Sequence, residues 1–268
     1  MKVTRHLYVL PLLALAVHLN GCSKTKPEKL APEGKMLQEE LKKEQEAIPL
    51  QIDSQASQVS FQMNAALEKI TGRAPLSVAG TLYVDAKDLA KSTALARVDL
   101  KKLTIYQEKR SSEEEDYGEL KKSDLQNEHM RTWLQISEDG PSEEVEKNRY
   151  LEFQIHSLKD LSAKSLQGLK GTTTKVSATA QATLRLHGRI TNHEVPLLLS
   201  FQYENGVLTG LKAENEKPLP VSLAQHDVHP RKAFGILAEK TLSALGAKVA
   251  KTADVEFDIV AKVGTKQP

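Results

Sequence analysis

The chain has 268 residues, 40% apolar and 27% charged, which suits a soluble globular protein. Aromatic residues make up 4%, too few for a surface that stacks nucleic-acid bases, and no basic stripe accompanies them, so no nucleic-acid partner is expected. The 37 Lys and Arg nearly balance 35 Asp and Glu; with Lys2 and Arg5 set apart at the extreme N-terminus the remainder is formally neutral, without a global field for an anionic partner.

Lys2 and Arg5 precede an apolar run from Leu7 to Leu19. At 13 residues this has the length of a signal-peptide core and is short for a bilayer span. Leu19-Asn20-Gly21-Cys22 follows and resembles the lipobox of bacterial lipoproteins. Residues 1–21 then read as a signal peptide and Cys22 as the point of lipid attachment, anchoring the chain to a membrane of the bacterial envelope with its domain facing the periplasm. Cys22 is the only cysteine, so the fold must hold by its own core. Residues 22–47 are rich in Lys and Glu, with Pro27 and Pro32. They read as a lipidated N-terminus and a solvated charged spacer, with a short surface helix near Met36.

From Ile48 the pattern has period two, the signature of half-buried strands. Val59, Phe61, Met63 and Ala65 alternate with polar residues, and Leu67 to Ile70 reads as one helical turn closed by Gly72. Leu76, Val78, Gly80, Leu82 and Val84 alternate next, then Ala94, Ala96, Val98 and Leu100. Leu103 and Ile105 are out of phase with these, which predicts a β-bulge at Lys101-Lys102. Leu151, Phe153 and Ile155 give another strand.

The longest alternation runs from Thr172 to Tyr203. Val176, Ala178, Ala180, Ala182, Leu184 and Leu186 share one face; Lys175 to Arg185 at alternate positions share the other. After a turn through Gly188 to His193, Val195, Leu197, Leu199, Phe201 and Tyr203 again share a face, so a long antiparallel hairpin is expected. Three inward alanines in a row leave space that either bulky residues opposite or a ligand must fill. Asn205-Gly206 signals a further hairpin to Val207, Thr209 and Leu211. Leu219, Val221 and Leu223, then Val255 to Val263, complete about nine strands in one antiparallel barrel or sandwich.

Two segments depart from this pattern. Gln107 to Asn148 carries 13 acidic and 6 basic side chains and reads as a long charged insertion, largely disordered, with an ordered end at His129 to Leu134. Arg231 to Val249 places Phe234, Ile236, Leu237, Leu242, Leu245 and Val249 at the spacing of an amphipathic helix.

Several of these stretches together resemble the YceI-like family of bacterial lipid-binding proteins. Ile52-Asp53-Ser54-Gln55-Ala56-Ser57-Gln58-Val59-Ser60-Phe61 is similar to its first strand, with Ala56 in place of a histidine. Gly80-Thr81-Leu82 matches the second strand. Asn127-Glu128-His129-Met130-Arg131 is similar to the family's Arg-Asp-x-His-Leu-Arg segment, with Gln126 and Asn127 for its first two residues. Leu184-Arg185-Leu186-His187-Gly188 matches Leu-x-Ile-His-Gly, and Arg231-Lys232-Ala233-Phe234-Gly235-Ile236 matches Arg-x-Asp-Phe-Gly-Ile apart from Ala233.

The resemblance spans roughly Ile48 to Val263. It implies an all-β, lipocalin-like antiparallel barrel of about eight strands over residues 48–264, with one or two short helices and the charged loop at 107–148. Residues 265–268 are a tail. A barrel of eight strands is just wide enough for one slim ligand. The implied ligand is a long apolar lipid, a polyisoprenoid or isoprenoid quinone. Its expected contacts are Phe61, Met63, Val78, Leu82, Phe153, Ala178, Ala180, Ala182, Leu184, Leu199, Phe201 and Phe257, with His129, Arg131 and Arg231 at the head group.

Catalytic chemistry is not indicated: there is no nucleophile motif, phosphate loop or zinc-site spacing. In His226-Asp227-Val228-His229 the two histidines are three apart, which on an extended stretch points them to opposite faces. No metal, cofactor or enzymatic activity is therefore expected. The competing expectation is a non-catalytic envelope interaction module whose barrel is filled by its own side chains.

Overall fold

The computed structural model describes residues 28–38, 47–168, 171–229 and 250–264. Its longest hairpin comes from its longest alternation. Strands β9 (Thr173–Leu186) and β10 (Arg189–Glu204) pair antiparallel with Leu186 opposite Arg189 and Thr173 opposite Gln202. The turn is only His187-Gly188, at φ of 50° and 70°. Positive φ at both positions gives the two-residue turn whose twist matches that of the flanking strands. Strand β10 thus begins at Arg189, earlier than the predicted resumption after His193. Asn205-Gly206, at φ of 51° and 78°, repeats the device and leads into β11 (Val207–Asn215).

Strands β1 (Ile48–Ile52), β4 (Val78–Val84), β5 (Thr93–Asp99), β8 (Tyr150–Lys159), β9, β10, β11 and β13 (Thr252–Val263) neighbour one another in that order. Because β13 also pairs with β1, Ala261 opposite Ile52, the ring of eight strands closes. The all-β barrel read from the sequence is the observed fold. Leu50, Leu184, Leu197, Phe201 and Ala261 are among the buried side chains of its core.

A second tier stands on this ring. Strands β2 (Gln58–Asn64), β3 (Glu68–Arg73), β6 (Thr104–Lys109) and β12 (Leu219–Ser222) continue β1, β4, β5 and β11 after short breaks. With the first half of β13 they form the run β12-β13-β2-β3-β6, to which the two-residue β7 (Lys121–Lys122) adds on β6. Among the described residues this tier does not close. Strand β8 starts with Tyr150 opposite Asp99, at the level where β5 ends, so no part of it stands beside β6.

The breaks correct two expectations. The phase change at Lys101-Lys102 is a 3-10 turn, Leu100–Lys102, in which the Asp99 carboxylate accepts from Lys101 N–H; it is not a one-residue bulge. Leu67 to Ile70 is not helical, since β3 begins at Glu68. Gly72 does not close a turn: a Cβ there would lie 2.0 Å from Phe61 Cε1, so its missing side chain is what lets the Phe61 ring lie across β3.

The insertion is structured, contrary to the expected disorder. Strand β7 is followed by α1 (Asp124–Trp133) and α2 (Ser142–Asn148). Ser123 caps α1 by accepting from Gln126 N–H, a favoured N-cap arrangement. Four of the insertion's apolar residues, Met130, Leu134, Ile136 and Val145, are buried, while Leu120 and Leu125 stay exposed. The acidic residues at 113–116 stay exposed on the surface loop before β7.

The charged N-terminal stretch is also not a free spacer where it is described. Residues 28–38 lie extended along the outer wall. Ala31 N–H donates to the Gln225 carbonyl, Gly34 N–H to Gly188, and Ile190 N–H to Pro32. Beneath this strap, Glu152 and Arg185 are 0% and 2% exposed and paired at 3.2 Å, with Arg97 Nε 2.7 Å from the other Glu152 oxygen. The strap's backbone completes the cluster: Leu37 N–H donates to Glu152 (3.0 Å), and Arg185 Nε donates to the Gly34 carbonyl (3.1 Å). A buried charged pair is tolerated only when its remaining hydrogen-bonding capacity is met in this way.

Candidate functional site

Three adjoining cavities run down the inside of the barrel. The first, about 110 Å³, lies in the open upper tier. Phe61 and Met63 of β2, Ile70 of β3, Ile105 of β6 and Val221 of β12 form its strand walls, and α1 supplies Gln126, His129, Met130 and Trp133. The second, about 70 Å³, lies inside the closed ring among Val78, Leu82, Ala94, Ala96, Phe153 and Phe257. The third, about 40 Å³, continues between Leu82, Ala94, Leu199 and Phe201.

The partitions are side chains. Val59, Val98, Leu151 and Val255 border both the first and second cavities, and Leu82, Ala94, Ile155, Leu197 and Ala213 both the second and third. Rotamer changes can therefore join the chambers without breaking a strand ladder. The first chamber is close in size to the ~150 Å³ apolar cavity that takes up benzene. Among the described residues its polar lining is Ser60, Gln126 and His129, and the His129 ring stacks on Trp133 at 6.1 Å.

Where the upper tier lacks strands, α1 completes the wall, and one side chain holds it in place. The Asn127 amide oxygen accepts from Ile105 N–H (3.0 Å), while its NH₂ donates to the Ile105 carbonyl (3.1 Å). Asn127 thus gives β6 both bonds that a neighbouring strand would give. A carboxylate at this position could not donate to the carbonyl.

The end of α1 is tied to two turns through histidine. His187 Nδ1 lies 3.0 Å from the His226 carbonyl and its Nε2 2.7 Å from Gln135 Oε1. His226 Nδ1 donates to the Leu186 carbonyl (3.1 Å), and its Nε2 lies 3.2 Å from Thr191 Oγ1, which in turn contacts His193 Nε2 at 2.7 Å. Burial pushes both His226 and His193 below the ordinary imidazole range, with the nearby cationic groups acting further on His226. His226 therefore turns inward as a neutral structural residue, while His229 faces Asp227 at 3.3 Å. Among the described residues no three His, Cys, Asp or Glu side chains gather as a metal site.

Phe61, Met63 and His129 border the first chamber, Val78, Leu82, Phe153, Leu184 and Phe257 the second, and Leu82, Leu199 and Phe201 the third. Arg131 is exposed on α1 and borders none of these chambers. Ala178, Ala180 and Ala182 point inward but do not border them either. Ala180 is 0% exposed because Leu158 and Val195 sit opposite it on the two flanking strands, and Leu197 sits opposite Ala178. The small side chains that do border the second chamber are Ala94, Ala96 and Ala213. Cys22, Arg231 and the predicted helix at 231–249 lie outside the described residues. Trp133, within the His129 to Leu134 stretch expected to be the ordered end of the insertion, and Ile70, read as helical, went unrecognised as cavity lining.

A family model described as the YceI-like domain matches residues 50–261. Ten solved chains are similar in structure. Among them, a polyisoprenoid binding domain from Saccharophagus degradans implicated in plant cell wall breakdown is 18% identical, with a TM-score of 0.48 over 81% of this chain and 99% of that one. Burkholderia cenocepacia BcnA is 14% identical, with a TM-score of 0.48 over 79% and 99%. No curated protein matches the chain.

Proposed function

We propose that this chain, which belongs to the YceI-like family, is a lipid-anchored carrier of one long apolar molecule. It is held to the bacterial envelope through Cys22 and has no catalytic role. The observation that carries this reading is the column of apolar chambers separated only by side chains. A slender chain of the polyisoprenoid or isoprenoid-quinone type fits such a column, with its wider end among Gln126, His129 and Trp133 and its tail toward Phe201.

The energetics favour carriage over permanent capture. Burying a methylene from water is worth about 0.8 kcal/mol, but a lipid already in a bilayer has gained most of that. The barrel then exchanges its ligand with membranes readily. Native mass spectrometry of the full-length protein extracted from membranes is the test, followed by solvent extraction and identification of any lipid. A stoichiometric apolar lipid is expected. Protein recovered with an empty barrel, and unable to speed prenylquinone transfer between vesicles, would favour a filled interaction module instead.

A further inference from the structure

The strap runs in a definite direction. Its later residues cross the middle of the barrel at Glu152, Arg97 and Gln154, which donates to the Gln38 carbonyl. Its earlier residues climb past Arg189, whose guanidinium donates to the Ala31 carbonyl. They end beside Ser222 and Gln225, where Ser222 Oγ donates to Glu28 and Ala31 N–H meets the Gln225 carbonyl. Ser222 and Gln225 flank Leu223, which lines the first chamber. The N-terminal end of the strap therefore leaves the barrel at the open upper tier. Leu30, 46% exposed, stands there beside the exposed Lys29.

We infer that the strap is an orienting clamp, which holds the upper-tier end of the barrel against the membrane that carries the anchor. This rests on the reading of Cys22 as the lipidated residue. Five residues lie between Cys22 and Glu28, and the six steps from one to the other span about 20 Å at most when fully extended. Strand β9 alone, at 14 residues, runs about 45 Å. A tether that short, leaving from the upper tier, keeps the Asn205-Gly206 end from facing the bilayer. Leu30 and Lys29 suit a lipid surface, one entering the interfacial region and the other pairing with head groups. The first chamber then opens where its ligand is dissolved, and loading needs no passage through water.

Energy transfer in proteoliposomes tests the orientation with the full acylated chain. Trp133 is the sole tryptophan and marks the upper tier. Val207→Cys, at a 65% exposed position beside the Asn205-Gly206 turn, supplies a dye site at the opposite end. Strong transfer from Trp133 to a dansyl-labelled phospholipid is expected, with several-fold weaker transfer from the Val207 dye to a lipid acceptor matched for its distance range. Two variants should abolish the asymmetry. One inserts twenty Gly/Ser residues after Pro27. The other, Gly34→Pro with Leu37→Pro, lifts the strap by removing two of its N–H donors while leaving every barrel side chain in place. Equal transfer from both ends in the wild type, or an asymmetry that survives both variants, would overturn the inference. So would mass spectrometry showing no acyl chains on Cys22. An oriented protein found empty of lipid would leave the clamp standing and refute the carrier. A lipid-loaded protein with no preferred orientation would do the reverse.

Discussion

The lower and upper tiers share β13, are otherwise built from successive strands, and enclose their contents differently. In the lower ring every strand has two hydrogen-bonded neighbours, so opening it means breaking a ladder. In the upper tier β8, β9 and β10 have ended, and the wall is completed by α1 and the turn around His226, tied through Asn127 and His187. Regions held by a few side-chain bonds open at lower free-energy cost than core strands. The comparison teaches that the barrel separates durability from access: the ring supplies stability and the upper tier the way in.

The largest expected effect falls where the tiers meet. Glu152→Ala would leave Arg185 buried without its carboxylate, a loss of about 3–5 kcal/mol, read as a lower urea midpoint. The next pair of substitutions contrasts the tiers directly. Ala180→Phe, between Leu158 and Val195 at a point of the ring that borders no chamber, should cost roughly 1–3 kcal/mol through strain. Ala253→Leu, beside the first chamber, should leave the ligand-free melting temperature unchanged or higher and reduce lipid recovery. Equal destabilisation by both would mean that the first chamber is as tightly packed as the ring.

Asn127→Ala sharpens the contrast further. It leaves the Ile105 N–H without its acceptor, while the Ile105 carbonyl keeps Ser123 N–H, which should cost about 1–3 kcal/mol. Hydrogen exchange should rise over residues 124–133 while β9 and β10 stay protected; uniform loss of protection would contradict the role assigned to α1. The smallest effect is on pH dependence. His226 and His193 are depressed in the fold by burial, so below the unfolded value of about 6.5 the unfolded chain binds more protons. Their contribution is complete above that pH and is lost as pH falls through it. His226→Gln should flatten the slope of stability between pH 7 and 5, and an unchanged slope would assign it elsewhere.

The strands were legible because alternation is a local signal. Thr172 to Tyr203 announced its hairpin, and Asn205-Gly206 its turn. The site was legible only in part, because cavities depend on what stands opposite. Ala178, Ala180 and Ala182 looked like a cavity wall, yet Leu158, Val195 and Leu197 fill the space across from them, and alternation within one strand cannot show its neighbours. Arg185 read as a solvated outward residue; it is 2% exposed because a segment about 150 residues earlier lies over it. Trp133 and Met130 were obscured by the surrounding charge, since a few apolar residues suffice when those of one helix face share a surface. Ala94 and Ala96 were read correctly as inward, but nothing in their own strand set them apart from the alanines of β9.

The strap also sets an order of events in folding. Gly34 is synthesised early, but Arg185, which donates to its carbonyl, lies 151 positions later, and Leu37 waits 115 positions for Glu152. Contacts so distant in sequence form slowly, because loop closure must be met before they contribute. Until they do, an arginine and a glutamate on the growing wall remain hydrated. The strap, early in the chain, therefore seals its charged seam on the outer wall only once β8 and β9, far later in the sequence, are in place.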